Sequence, residues 1–267
     1  MSAGERRVGA IRVAAAQFRV CVLRALQYRM QFWTEGVLGV AWSLMGIAPL
    51  LVAMQYRSEV AGWGVGGLLV LTGVFTIMSG IYGAMVQPAL AESMAHIRRG
   101  SLDYLLLRPV DAMVSCVTAM YSPWRLLEVV AGVGLVTVGI HREGVFAWEG
   151  LALGVALAFL GVVVLYAMGV LMLAASFRAL RLENLTFMLE AMLDFGRWPI
   201  GVFRGLLKAF FTFVFPLAVL TTFPAEALLG QSRAGTLGVA VLITLSFMFA
   251  ARIAWNRGIR HYTSASS

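Results

Sequence analysis

Long uncharged runs alternate along the chain with short polar clusters. Over residues 8–32, Ile11, Ala15, Phe18, Val22 and Leu26 recur at helical spacing, while Arg12, Arg19 and Arg24 lie largely off that stripe. The pattern predicts an amphipathic helix, either lying on a membrane surface with its arginines toward anionic headgroups or packing on a neighbouring soluble subunit. Uncharged runs follow at residues 36–56 and 65–91. At about 1.5 Å per residue each is long enough to cross a hydrocarbon core of roughly 30 Å, so both read as membrane spans. The glycines from Gly62 to Gly67 superficially resemble a phosphate-binding loop, but no strand pattern precedes them. The segment 92–109 is the most polar inside the chain, with Glu92, His96, Arg98, Arg99, Asp103 and Arg108.

A third span is expected over residues 113–140, broken by Pro123 and carrying Arg125 and Glu128 on one helical face. Such a pair neutralises itself inside a bundle or marks an ion path. A fourth, 151–177, opens with glycines 150 and 154 at a spacing that permits close helix packing. Residues 184–229 admit two readings, because Glu190, Asp194, Arg197, Arg204 and Lys208 punctuate the first half while 209–225 is uncharged. In one, a fifth span near 184–200 precedes a re-entrant element broken by Pro216 and Pro224. In the other, the charged half is an interfacial helix and 209–229 is the span. A last span, 235–255, precedes a basic tail. The expectation is an all-α integral membrane protein of about six transmembrane helices: a cytoplasmic amphipathic arm at 1–35, a membrane domain at 36–256 with one span somewhere within 184–229, a re-entrant element before the last span, and a cytoplasmic tail at 257–267.

Composition agrees, with 60% hydrophobic and only 13% charged residues in 267, against a usual charged share of roughly 25%. The net charge of +8 gains meaning from its placement. Six arginines in the N-terminal arm, Arg98, Arg99 and Arg108, Arg178 and Arg181, and Arg252, Arg257 and Arg260 make fourteen on one side. The opposite loops hold Arg57, Arg142 and Arg233. This bias predicts both termini in the cytoplasm and an even number of spans, and it argues against nucleic acid as a partner.

The sole lysine, Lys208, follows Leu207 and precedes Ala209, so the chain lacks the Gly-Lys-Ser/Thr of a P-loop ATPase. His96, His141 and His261 fall in different loops, and Cys21 and Cys116 are isolated from each other and from the histidines. No catalytic, cofactor-binding or metal-ligating set is read from the sequence. The rivals left by chemistry are an ion-coupled carrier using Arg125 with Glu128 or Glu190 with Asp194, and an integral membrane enzyme. Met45, Met54, Phe75, Met78, Met85 and Met168 suit either an apolar cargo or ordinary packing.

The loop from Ile97 through Arg98-Arg99-Gly100-Ser101-Leu102-Asp103-Tyr104-Leu105-Leu106-Leu107-Arg108-Pro109 resembles the signature loop of a branch of the ABC-2 family of transporter permeases. Arg197-Trp198-Pro199-Ile200 with Phe215-Pro216 and Phe223-Pro224-Ala225-Glu226 resembles its late-helix segment, Trp255-Asn256-Arg257-Gly258 its closing motif, and Tyr28-Arg29 a pair placed before the first span. The resemblance implies an exporter half in the plasma membrane. Two permease chains, identical or paralogous, would pair around a pathway, each engaging a cytoplasmic ATPase that carries the ATP and magnesium. The ATPase-coupling role would fall on Glu92, His96, Arg98, Arg99, Leu102, Asp103, Leu105 and Arg108. Leu102 and Leu105 would then be its apolar anchor.

Overall fold

A computed structural model describes residues 10–56, 59–103, 107, 111–177 and 185–261. Leu105, Arg108, the Arg178–Arg181 turn and the end of the tail lie outside these residues, as does the side chain of Met54. The described chain is helical, with one isolated bridge between Val60 and Trp63.

Two helices, α1 (Ala10–Gln27) and α2 (Arg29–Met45), are followed by the short α3 (Ala48–Tyr56). The predicted surface helix therefore ends at Gln27. Its inward side is shifted from the predicted stripe: Phe18 and Val22 are half-buried and Ala25 is buried, whereas Ala15 and Leu26 face out. Phe18, which stays on the inward side, makes an edge-to-face contact with Tyr121 at 5.5 Å between centroids. The run expected as the first span is split at Gly46 and Ile47 between α2 and α3. Pro49 lacks the N–H that would bond to Met45, and its ring would meet that carbonyl, so a continuous helix fails there.

Four helices are long and apolar enough to cross a membrane unbroken: α4 (Val65–Arg98), α6 (Pro123–Glu143), α7 (Trp148–Ser176) and α11 (Thr236–Gly258). A fifth candidate is the pair α9 (Gly205–Val214) and α10 (Ala218–Leu228), bent by 70°. Pro216 makes the bend, since Phe215 before it is driven out of the helical region. Both readings of this region, broken span or re-entrant loop, fit that geometry, and the count among the described residues is four to five rather than six. Between them come α5 (Ala112–Val117) and α8 (Leu185–Leu193). The third span thus starts at Pro123, ten residues later than the predicted 113, because residues 118–122 leave the helix ahead of the proline. It runs on to Glu143, where Gly144 closes it in the left-handed conformation at φ +66°.

The core helix is α4, with 72% of its most apolar stretch buried, against 22% for α11. It meets α6 along a glycine seam. A Cβ at Gly73 would lie 2.8 Å from the carbonyl oxygen of Gly132, one at Gly132 would lie 2.7 Å from that of Gly73, and one at Gly139 would lie 2.7 Å from that of Gly66. Without side chains between them, the two backbones touch over several turns. In lipid, where helices gain no hydrophobic free energy by associating, this gain in dispersion contact is what holds them. Glycines 150 and 154 of α7 likewise admit Ala227 and Leu228 of α10. The main apolar cluster surrounds α7, with Leu157, Val164, Leu165 and Leu173 fully buried. Phe75, Met78 and Met168 are core fillers, whereas Met45 faces out.

Candidate coupling loop and intramembrane charges

Thirty-four residues make α4 about 50 Å long, so some 20 Å of it extends beyond a hydrocarbon core of roughly 30 Å. Glu92, His96 and Arg98 occupy its last turns, with Arg98 and Arg99 exposed. The Glu92 carboxylate lies 3.3 Å from Nε2 of His96 one turn on, and Nδ1 of His96 is 2.9 Å from the Ser101 hydroxyl. The helix ends in a complete Schellman closure. Gly100, at φ +67°, donates its N–H to the Ile97 carbonyl at 3.2 Å, and the Ser101 N–H donates to the His96 carbonyl at 2.9 Å. Both orphan carbonyls are satisfied, and only glycine takes that φ without cost.

Leu102, expected as an anchor for a partner, is instead fully buried within the chain's own cluster beside Met94, Ile97 and Cys116. Asp103 is half-buried, and Leu107 is 82% exposed. The turn is fixed to the body of the molecule by the Ser93 hydroxyl, which donates to the Cys116 carbonyl at 2.9 Å. Asp111 caps α5 by accepting from the Met113 N–H at 2.9 Å and pairs with Arg252 of α11 at 3.2 Å. Burial pushes the Asp111 carboxyl up, but Arg252 and the amides of Met113 and Val114 outweigh it and hold the group below the usual carboxylate range.

Arg125 and Glu128 do pair, at 2.6 Å, with Glu128 only 1% exposed. The second Glu128 oxygen accepts from the Ser43 hydroxyl at 3.3 Å, and Gly39 leaves room for the carboxylate against α2. Glu190 is not hydrogen-bonded to Asp194. It accepts from the Gln87 amide at 3.3 Å and stands within electrostatic range of Arg125, Asp194 and Glu128. Asp194 pairs with Arg197 at 3.0 Å, and the Arg197 guanidinium carbon lies 4.9 Å from the centroid of the Phe75 ring. Four charges that the sequence reading took in two sets thus form a polar seam joining α2, α4, α6 and α8. Sequence reading missed Ser43, Gln87 and Tyr82, whose hydroxyl donates to the Thr186 carbonyl at 3.1 Å. Their signal was an isolated polar group in an otherwise apolar run.

Near this seam α4 carries a π-helical turn, Tyr82–Val86. The Arg125 side chain packs on Gly83, and the Ser122 N–H donates to the Ala84 carbonyl at 2.8 Å. Among the described residues no group of three His, Cys, Asp or Glu side chains is placed to hold a metal ion. An apolar cavity of about 680 Å3 opens between α4, α6, α7 and α10, lined by residues that include Met78, Val136, His141, Val155 and Leu228.

The arrangement offers apolar spans around a buried polar seam, with one long helix ending in a basic turn. Neither a curated protein nor a solved structure matches the chain. The family model described as ABC-2 family transporter protein matches residues 40–266. That match takes in every spanning helix and the loop between α4 and α6, and with it the chain belongs to the ABC-2 transporter family, as a multi-pass membrane permease rather than an ATPase.

Proposed function

We propose that the chain is the translocation subunit of an ATP-driven exporter in the plasma membrane, working as a dimer with a second permease chain. Each chain would be driven by a separate cytoplasmic ABC ATPase, and both termini would lie on the ATPase side. The observation that carries this reading is the end of α4. A rigid helix too long for the membrane delivers Arg98 and Arg99 to a turn closed by Gly100, and Leu107 stands exposed a few residues on. Exposed arginines followed in the same loop by an exposed apolar side chain suit docking in an acidic-rimmed cleft, with charge-assisted hydrogen bonds and a hydrophobic contact. The tip is braced on α5 through Ser93 and on α11 through Asp111 and Arg252, so a push on it moves the bundle rather than bending a loop. ATP and magnesium belong to the partner in this reading.

The test is a mild-detergent pull-down of the tagged chain, followed by an ATPase assay on the eluate reconstituted in liposomes. Recovery of a soluble P-loop ATPase is expected. Charge reversal at Arg98 and Arg99, or Leu107→Asp, is expected to abolish its activity in the complex while leaving the permease inserted and monodisperse. A chain that binds no ATPase in its native membrane, and moves solute along an ion gradient alone, overturns the reading in favour of a carrier.

A further inference from the structure

The break between α2 and α3 faces Arg197 across a cavity of about 260 Å3, lined in part by Gly46, Pro49, Thr72, Asp194, Arg197 and Trp198. Arg197 is held there from three sides. Asp194 pairs with it, Phe75 lies against its guanidinium plane, and its Nη1 rests where a Cβ at position 46 would be. Its Nε is buried and has no hydrogen-bond partner among the described residues. A buried guanidinium donor left unused is costly, and costlier where lipid is the solvent. Arg197 lines the cavity, which gives an acceptor a place beside its guanidinium.

Charge decides the class of acceptor. Arg197 and Asp194 together are neutral, so a guest with net charge would leave the site charged in a weakly polar surrounding. A guest with one negative and one positive group satisfies both residues and keeps the site neutral. The positive end has a carboxylate that is 55% exposed and the rings of Phe195 and Trp198 in the same lining, a setting suited to an ammonium. The volume falls below the roughly 300–1,000 Å3 of pockets that enclose a whole drug-sized ligand, and fits a headgroup.

We propose that this cavity binds a zwitterionic headgroup, its phosphate or carboxylate accepting from Arg197 and its amine held by Asp194. The group is that of a membrane phospholipid or of a zwitterionic cargo. The inference rests on the permease reading only for the cargo alternative.

The experiment is calorimetric titration of the purified full-length chain with dihexanoyl-phosphatidylcholine, with dihexanoyl-phosphatidylglycerol as the anionic counterpart, and with tail-free glycerophosphocholine. The zwitterionic lipid is expected to bind at least about tenfold more tightly than the anionic one, and Arg197→Gln to weaken it about tenfold or more. Asp194→Asn is expected to reverse the order, favouring the anionic lipid, a gain that misfolding does not produce. Equal binding of the tail-free headgroup assigns the site to a soluble cargo, and a requirement for tails assigns it to lipid. No binding of any probe, no preference between the two lipids, or affinities unchanged in both variants overturns the proposal. No ATPase takes part, so this result and the pull-down succeed or fail separately.

Discussion

Gly132 and Gly134 sit two residues apart on α6, one buried against α4 and the other facing out. A Cβ at Gly132 would lie 2.7 Å from the Gly73 carbonyl oxygen, 2.8 Å from Cγ1 of Ile77 and 2.8 Å from the Ile77 nitrogen, whereas one at Gly134 would meet nothing within 4 Å. Two of those three neighbours are backbone, which cannot swing aside as a side chain tip can. Ordinary contact lies near 3.5–4.0 Å, so Gly132→Ala forces the helices apart by about 1 Å and loosens the seam in both directions. Overpacking of this kind costs about 1–3 kcal/mol. Both variants gain the same helix propensity, roughly 0.5–1 kcal/mol in water, so their difference isolates the steric cost. The assay is reversible unfolding in mixed micelles, comparing Gly132→Ala with Gly134→Ala. Gly132→Ala is expected to be the less stable by about 1–3 kcal/mol. Equal stabilities, or the reverse order, would show that α4 and α6 do not touch through backbone.

Removing one partner of a buried pair is more costly than removing both. Glu128→Ala is therefore expected to destabilise by about 3–5 kcal/mol, and the double replacement Arg125→Met with Glu128→Leu by clearly less; equal losses in the same unfolding assay would contradict the pairing. Because Asp111 titrates below its ordinary value, its link to Arg252 is present at neutral pH and is lost as pH falls from the unfolded value near 3.9 through the lower folded one. Both side chains are about half exposed, so Arg252→Gln is expected to cost at most about 1 kcal/mol at pH 7 and progressively less as pH falls through the acid range; a cost independent of pH would refute the link. Leu102→Ala should lower stability by about 2–5 kcal/mol for its buried side chain, and Leu107→Ala by less than about 0.5 kcal/mol, read as shifts in thermal unfolding.

Membrane class and family were legible because they rest on long uncharged runs and on motifs spread over the whole chain. The Arg125–Glu128 pair was legible because both members share one helix, three residues apart. What sequence reading lost depended on partners far along the chain. Leu102 was read as an anchor through the family resemblance, yet it is buried in the chain's own apolar cluster, which also holds Cys116. Ser43 and Glu128 are 85 positions apart, and no periodicity announces such a contact. Span ends failed at prolines. Pro49 divides the first run, and Pro123 begins a helix where it was read as interrupting one, since its missing N–H is harmless in a first turn and disruptive later. The bend at Pro216 belonged to one of the two readings of that region, whereas Pro224, read there as a second break, lies inside α10.

The π-turn at Tyr82–Val86 has a bearing on phase. Each residue of an α-helix advances the azimuth by about 100°, and a π-turn takes one residue more than the α-helix it replaces. Everything beyond residue 86 therefore points in directions set by that extra residue. Deleting it would leave α4 long, apolar and helical, yet would turn Ser93 away from the Cys116 carbonyl and aim Arg98 at a different quadrant. The chain would still insert, with its basic tip like a key cut correctly and turned a quarter round in the lock.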